Sequence, residues 1–226
     1  MKKRILIIAA HPDDEILGCG ATVAKLVQNS GVARSIILGQ GMISRGADLS
    51  ALKLLRNSAT SANEILGIDQ VRFYDFPDNS MDSVPLLEIT KVVEIEIANF
   101  CPDLIFTHFG NDLNVDHRMT FQAVITACRP QPEFASPDIY SFFVPSSTDW
   151  IDGYVLKPFV PNTFIDVSDT IEKKILALKN YESEMKSSPH SRSLDSLRVF
   201  SRYWGMRVGK EYVEPFVLVR KVGNLD

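Results

Sequence analysis

Two apolar rhythms alternate along this chain. Arg4–Ala10 is almost continuously apolar from Ile5 onward, as a strand is when both of its faces are buried. Glu15–Gln28 switches to helical spacing through Ile16, Ala21, Val23, Ala24 and Leu26, and Gly31 follows just past its end. The alternation continues with a short strand at Ser35–Leu38, a loop at Gln40–Gly46 and a helix at Leu49–Leu66 closed by Gly67. Val71–Tyr74 reads as a third strand, followed by a loop from Asp75 to about Asp82. A long amphipathic helix at Leu86–Phe100, a strand at Asp103–Thr107, a helix at Asp116–Cys128 and a strand at Ile139–Val144 complete the regular part. Strands and helices in this order predict right-handed βαβ units. The expected fold is α/β, a Rossmann-like, mostly parallel sheet flanked by helices.

The pattern loosens after residue 145. Pro145–Pro161, rich in Ser, Pro, Asp and aromatic residues, reads as a long loop bordering a site. Beyond it come a short strand at Thr163–Val167, a periodic helix at Asp169–Met185, a polar break at Ser187–Ser193, a helix at Leu194–Val208 and a strand at Tyr212–Lys221. At 226 residues the chain is expected to form one domain, with 145–226 completing the site of the first part.

Composition narrows the function classes. Hydrophobic residues make up 45% of the chain, enough for a sizeable core, and no run approaches the ~20 apolar residues of a membrane helix. A net charge of −4 offers no general basic field for nucleic acid. The basic start and short apolar run of MKKRILIIAA end in His-Pro-Asp-Asp with no cleavage site after them, so an export signal is not expected. The three cysteines, Cys19, Cys101 and Cys128, form no Cys-x-x-Cys pair, and the expected location is the cytoplasm.

The chemistry is concentrated where the first strand ends. His11-Pro12-Asp13-Asp14-Glu15 sets one imidazole and three carboxylates within five residues. In open α/β sheets, ligands bind at the C-terminal ends of the strands. Carboxylates crowded this closely repel unless a cation sits among them, and a divalent metal answers both observations. A helix cap would account for one of the acids but not for His11. The chain has four histidines, His11, His108, His117 and His190. His117 lies in Asn111-Asp112-Leu113-Asn114-Val115-Asp116-His117, between the fourth strand and the next helix, and therefore on the same rim as His11. Its plain reading is a first-turn residue behind an Asp116 cap.

Together, Ala10-His11-Pro12-Asp13-Asp14-Glu15 and Asp116-His117 resemble the LmbE-like, or PIG-L, metal-dependent N-deacetylases. Arg56 with Ile65-Leu66-Gly67, Asp78, and Val213-Glu214-Pro215-Phe216 are similar to further motifs of that family, so the likeness runs over most of the chain. The resemblance implies a hydrolase that removes acyl groups from N-acylated sugars or sugar conjugates. It implies His11, Asp14 and His117 as ligands of zinc, with iron or cobalt as alternatives, and Asp13 as general base. From the residues alone, either Asp13 or Asp14 could bind the metal. Asp116 is expected to accept a hydrogen bond from a ligand imidazole. One position departs from the family: several members carry a further histidine where this chain has Asn114. An Asn amide can donate to an oxyanion but cannot act as an acid. Either Asp13 performs both proton transfers, or His108 or His190 supplies the second group.

Substrate contacts are expected from Arg56, Asp78, Arg45 and Trp150, the last as a platform for a sugar ring. Arg192 and Arg207 read as partners of local acids. The resemblance implies a small N-acyl sugar or its conjugate as the partner, with no nucleic acid and no membrane span expected, and assembly into a homo-oligomer is left open. Two other readings compete: a metal-dependent phosphoesterase, and a non-catalytic sugar-binding module on the same scaffold. The first would usually need more carboxylates, to hold two metals.

Overall fold

The computed structural model describes residues 2–42, 44, 46, 48–131 and 136–223. The chain runs β1 (Arg4–Ala9), α1 (Asp14–Gln28), β2 (Val32–Gly39), α2 (Leu49–Leu66), β3 (Gln70–Phe76), α3 (Leu86–Phe100), β4 (Leu104–Thr107) and α4 (Val115–Ala127). It continues through β5 (Asp138–Phe142), β6 (Thr163–Asp166), α5 (Ile171–Leu178), α6 (Leu194–Met206) and β7 (Val213–Arg220). The strands form a seven-stranded sheet in the order β3-β2-β1-β4-β5-β7-β6. The first five are parallel, and β7 lies antiparallel between β5 and β6. This is the expected α/β architecture with its mostly parallel sheet.

The near-continuous apolar run of β1 follows from its central position. Ile5 and Ile7 point into one core with α1, α2 and α5, while Leu6 and Ile8 point into the other with α3 and α4. β2 is longer than the run Ser35–Leu38 predicts. Its pairing with β1 spans Arg4↔Val32 to Ala9↔Ile37, so backbone bonding recruits Arg34 into a strand that hydropathy alone does not mark. The helix expected at Asp169–Met185 stops at Leu178. Beyond it the chain proceeds by tight turns that carry the fully buried Tyr181 inward, where its hydroxyl donates to Glu15.

Glu214, in the Val-Glu-Pro-Phe motif at the start of β7, is a brace between that strand, α1 and α5. Its carboxylate accepts the Ala21 and Thr22 amides of α1, at 3.2 and 2.7 Å, and pairs with Lys174 of α5 at 2.6 Å. Lys174 Nζ also donates to the Leu17 carbonyl at 2.7 Å, so both buried charges are hydrogen-bonded, the condition under which such a pair is tolerated.

α1 approaches β5 closely at Gly18. A Cβ there would meet the Phe142 ring at 2.3–2.8 Å. Phe142 is fully buried and cannot swing away. Gly18→Ala is expected to destabilise the protein by about 1–3 kcal/mol through overpacking, read from denaturant unfolding midpoints.

Candidate active site

The strand order reverses at β1. The chain builds β2 and β3 on one side of it, then returns to build β4 and β5 on the other. The crevice above the diverging ends of β1 and β4 is where an open α/β sheet binds ligands. His11 follows β1 there and His108 follows β4, and the Ala10 amide donates to His108 Nε2 at 2.8 Å.

His11, Asp14 and His117 converge in this crevice, with one donor atom of each lying within 4.8 Å of the others. Asp14 Oδ2 is 3.3 Å from His11 Nδ1 and 3.2 Å from His117 Nε2. Asp14 Oδ1 and His117 Nε2 are buried without a hydrogen-bond partner. Orphaned buried polar atoms are costly, and two imidazole nitrogens with a carboxylate are a donor set suited to a divalent cation. The opposite nitrogen of each ring faces an acid. His11 Nε2 meets Asp116 Oδ2 at 2.8 Å, and His117 Nδ1 meets Asp112 Oδ1 at 3.1 Å. Asp116 therefore backs His11 and not its sequence neighbour His117. It is turned that way by the Asn79 and Met81 amides, which donate to its two oxygens. Nor does it cap α4. That cap is Asn114, whose Oδ1 accepts from the Asp116 amide at 2.8 Å. Asp112, held by the Ser147 and Thr148 hydroxyls, takes the place behind His117.

Asp13 is not spent on capping α1: its side chain makes no cap hydrogen bond. Its φ of 107° lies where only glycine is comfortable, a local strain of order 1–3 kcal/mol. Glu15 holds it there, with Oε2 accepting the Asp13 amide at 3.0 Å, while Oε1 accepts from Asn63 and Tyr181. Burial pushes the Asp13 carboxyl well above its ordinary range. Arg192 opposes that shift and the neighbouring Asp14, Glu184 and Glu15 add to it. Burial raises Glu15 to about 7. Asp14 is penalised by burial too, yet the nearby His117 and His108 hold it well below the ordinary range.

A cavity of about 220 Å³ opens beside these groups, with His11, Asp13, Asp78, Asn114, Glu184 and Arg192 in its wall. Leu55 is shared with an adjoining groove of about 380 Å³. Asp78 lines the cavity, and its Oδ2 accepts both the amide and the hydroxyl of Ser44. Arg56 is not among the lining residues. Its guanidinium lies over Phe73 and is taken by Asp75 at 2.6 Å and the Tyr74 carbonyl. Trp150, 55% exposed, packs edge-on against His190 and does not line the cavity either. His190 Nδ1 accepts the Arg192 amide. His108 is fully buried and stacks on His117 at 3.9 Å, which makes it a support for that ring and not a group open to substrate. Arg45 lies outside the described residues. Two participants carry little local signal. Asp112 is one of several polar residues in its loop. Arg192, read as the partner of a local acid, reaches Asp13 from 179 residues away.

The model of a protein family described as PIG-L, GlcNAc-PI de-N-acetylase, matches residues 6–128. The chain belongs to this family. The diacetylchitobiose deacetylase of Thermococcus kodakarensis is 29% identical over 226 aligned residues, covering 94% of this chain and 81% of that protein. Among solved structures, the N,N'-diacetylchitobiose deacetylase of Pyrococcus horikoshii superposes with a TM-score of 0.77 at 19% identity, over 95% of this chain and 82% of that one. GalB of Pseudomonas putida, a 4-carboxy-2-hydroxymuconate hydratase, superposes at 0.75 with 19% identity, over 99% of this chain and 100% of that one. The fold therefore carries more than one reaction, while the family and the curated relative are described as deacetylases. No helix among the described residues is long and apolar enough to cross a membrane.

Without metal, the site holds protons. Burial disfavours the charged rings, but Asp116 and Asp14 raise His11 to about 10, and Asp14 and Asp112 raise His117 to about 9. These folded-state values exceed the unfolded value of about 6.5, so the stability they contribute is fully present below about pH 6.5 and lost as pH rises through 9 and 10. Melting temperatures of chelator-treated protein are expected to fall across that window. A flat profile would contradict the charge assignment.

Proposed function

We propose that this protein is a metal-dependent N-deacetylase of a small N-acetylated sugar or sugar conjugate. His11, Asp14 and His117 hold one divalent cation, zinc first and iron or cobalt next, and Asp13 is the general base. The observation that carries this reading is the pair of unpartnered buried atoms, Asp14 Oδ1 and His117 Nε2, on the ligand set next to an Asp13 that caps nothing. Bound there, the cation supplies a Lewis acid that acidifies water and polarises a carbonyl.

The chain's own groups account for the proton transfers. Asp13, in the cavity wall, takes a proton from the attacking water and delivers it to the amine as the C–N bond breaks. Asp112 and Asp116 fix the tautomers of His117 and His11. Asn114 spends its oxygen on the α4 cap and one N–H on Asn79, which leaves its second N–H for the oxyanion. The groove beyond Leu55 gives room for the rest of a conjugate. Residues from His11 to Arg192 wall one cavity, which supports reading the chain as a single catalytic domain. The free thiols Cys19, Cys101 and Cys128 fit a reducing cytoplasm.

A two-metal phosphoesterase is disfavoured. The second acid cluster, His11 with Asp78 and Asp116, reuses His11, and its acids already accept hydrogen bonds from Ser44, Asn79 and Met81. An acetate-release screen over free, nucleotide-linked and lipid-linked N-acetylglucosamine tests the reading, with metal analysis alongside. One metal per chain and chelator-sensitive acetate release are expected; a clean preparation with no metal affinity sinks it. Asp13→Asn is expected to keep its metal and lose about 10²–10⁴-fold in rate. Asp112→Ala is expected to weaken metal affinity about 10–100-fold in a competition titration.

A further inference from the structure

Arg192 enters the cavity from the connection between α5 and α6, far from every motif of the strand ends. It is firmly held. Its amide donates to His190 Nδ1 at 3.0 Å, and its Nε donates to Ser146 Oγ at 2.6 Å and to the Pro145 carbonyl at 3.3 Å. Its Nη1 donates to Asp13 Oδ2 at 2.7 Å and lies 3.8 Å from Glu184 Oε2. The same guanidinium thus clasps the 145–146 turn through one edge and Asp13 through another. A planar guanidinium holds these donors on separate atoms at fixed spacing, whereas a lysine ammonium presents all of its donors from one atom.

The Asp13 backbone is independently fixed. Its amide is tied to Glu15, and its carbonyl accepts the Ile16 and Leu17 amides of α1. What remains free is rotation of the carboxylate, and Arg192 removes it by engaging one oxygen. Resting on the deacetylase reading, the geometry points to Arg192 as the positioning residue for the base: it clamps Asp13 Oδ2 so that Oδ1 meets the reacting water. Arg192 acts through Asp13 and exchanges no proton itself. The long Pro145–Pro161 segment shares in the alignment, because Ser146 fixes the other edge of the guanidinium.

The test is a mutant cycle on metal-loaded enzyme. Arg192→Met is expected to lower kcat about 100-fold, the cost of a misplaced reacting group, with KM and metal content little changed. Arg192→Lys, which keeps the charge, is expected to lose a comparable factor, and millimolar guanidinium is expected to restore part of the activity of Arg192→Ala. In the Asp13→Asn background, Arg192→Met should cost nothing further. A kcat within twofold of wild type in Arg192→Met, or a full additional loss on top of Asp13→Asn, overturns the proposal. Should Arg192→Met fail to fold, Arg192→Lys and the guanidinium rescue of Arg192→Ala decide the matter: wild-type kcat in the first, or no rescue of the second, refutes it. A wild-type enzyme that binds metal yet releases no acetate from any conjugate defeats the deacetylase reading, and this one with it. An active wild type with an equally active Arg192→Met defeats only this one.

Discussion

Charge compensation at the ends of β1 and β4 is the constraint on which the rest depends. Asp13, Asp14, Glu15, Asp112 and Asp116 are all at most 1% exposed. Carboxylates so fully withdrawn from water are tolerated only when each is paired or hydrogen-bonded. Asp14 has the His11 and His117 rings beside it, Asp112 and Asp116 each back a ring, Asp13 has Arg192, and Glu15 has Asn63 and Tyr181. Those requirements decide where the 78–81 loop, the start of α4, the 145–148 turn and the connection before α6 must lie.

The same network explains why strain at Asp13 persists. A left-handed aspartate followed directly by a helix survives only if its surroundings over-determine it. The Glu15 brace begins in the core: Ser35 on β2 donates to Asn63 on α2, and Asn63 donates to Glu15. Two elements of the sheet-and-helix scaffold thus aim a carboxylate that would otherwise relax into an ordinary helix cap. Further away, Glu214 and Lys174 fasten α1 to β7 and α5, so the helix that carries Asp14 is anchored along its length. Catalytic precision of this kind needs rigid elements beneath the reacting groups.

Substrate contacts do not follow from charge and loop position alone. Arg56 and Trp150 are suitable residue types, and each has a closer attachment. Asp75 lies one strand edge from Arg56, and a local ion pair forms without the ordering cost of waiting for a ligand. The cavity wall is mostly acidic and polar, and Arg192 supplies the guanidinium among its described lining residues. Its charge is already shared with Asp13, so the cavity offers no unpaired Lys or Arg among its described lining residues, and the groove beyond Leu55 is lined by apolar and polar groups.

The sequence by itself determined the alternation of strands and helices, the rim on which the histidines gather and the His-Pro-Asp-Asp density that calls for a cation. These are local properties, carried by hydropathy period and by residues adjacent in the chain. The early end of α5, the length of β2 and the pairing of acids with rings were decided only in the tertiary structure. Asp116 sits beside His117 in sequence yet serves His11, because amides from the 79–81 segment turn it. Arg192 meets Asp13 across 179 residues, and no window of sequence contains both. The physical reason is the range of the forces. Periodicity and turn chemistry act between neighbours in the chain, whereas the partner of a buried charge is whichever group packing brings within hydrogen-bond reach once water is excluded.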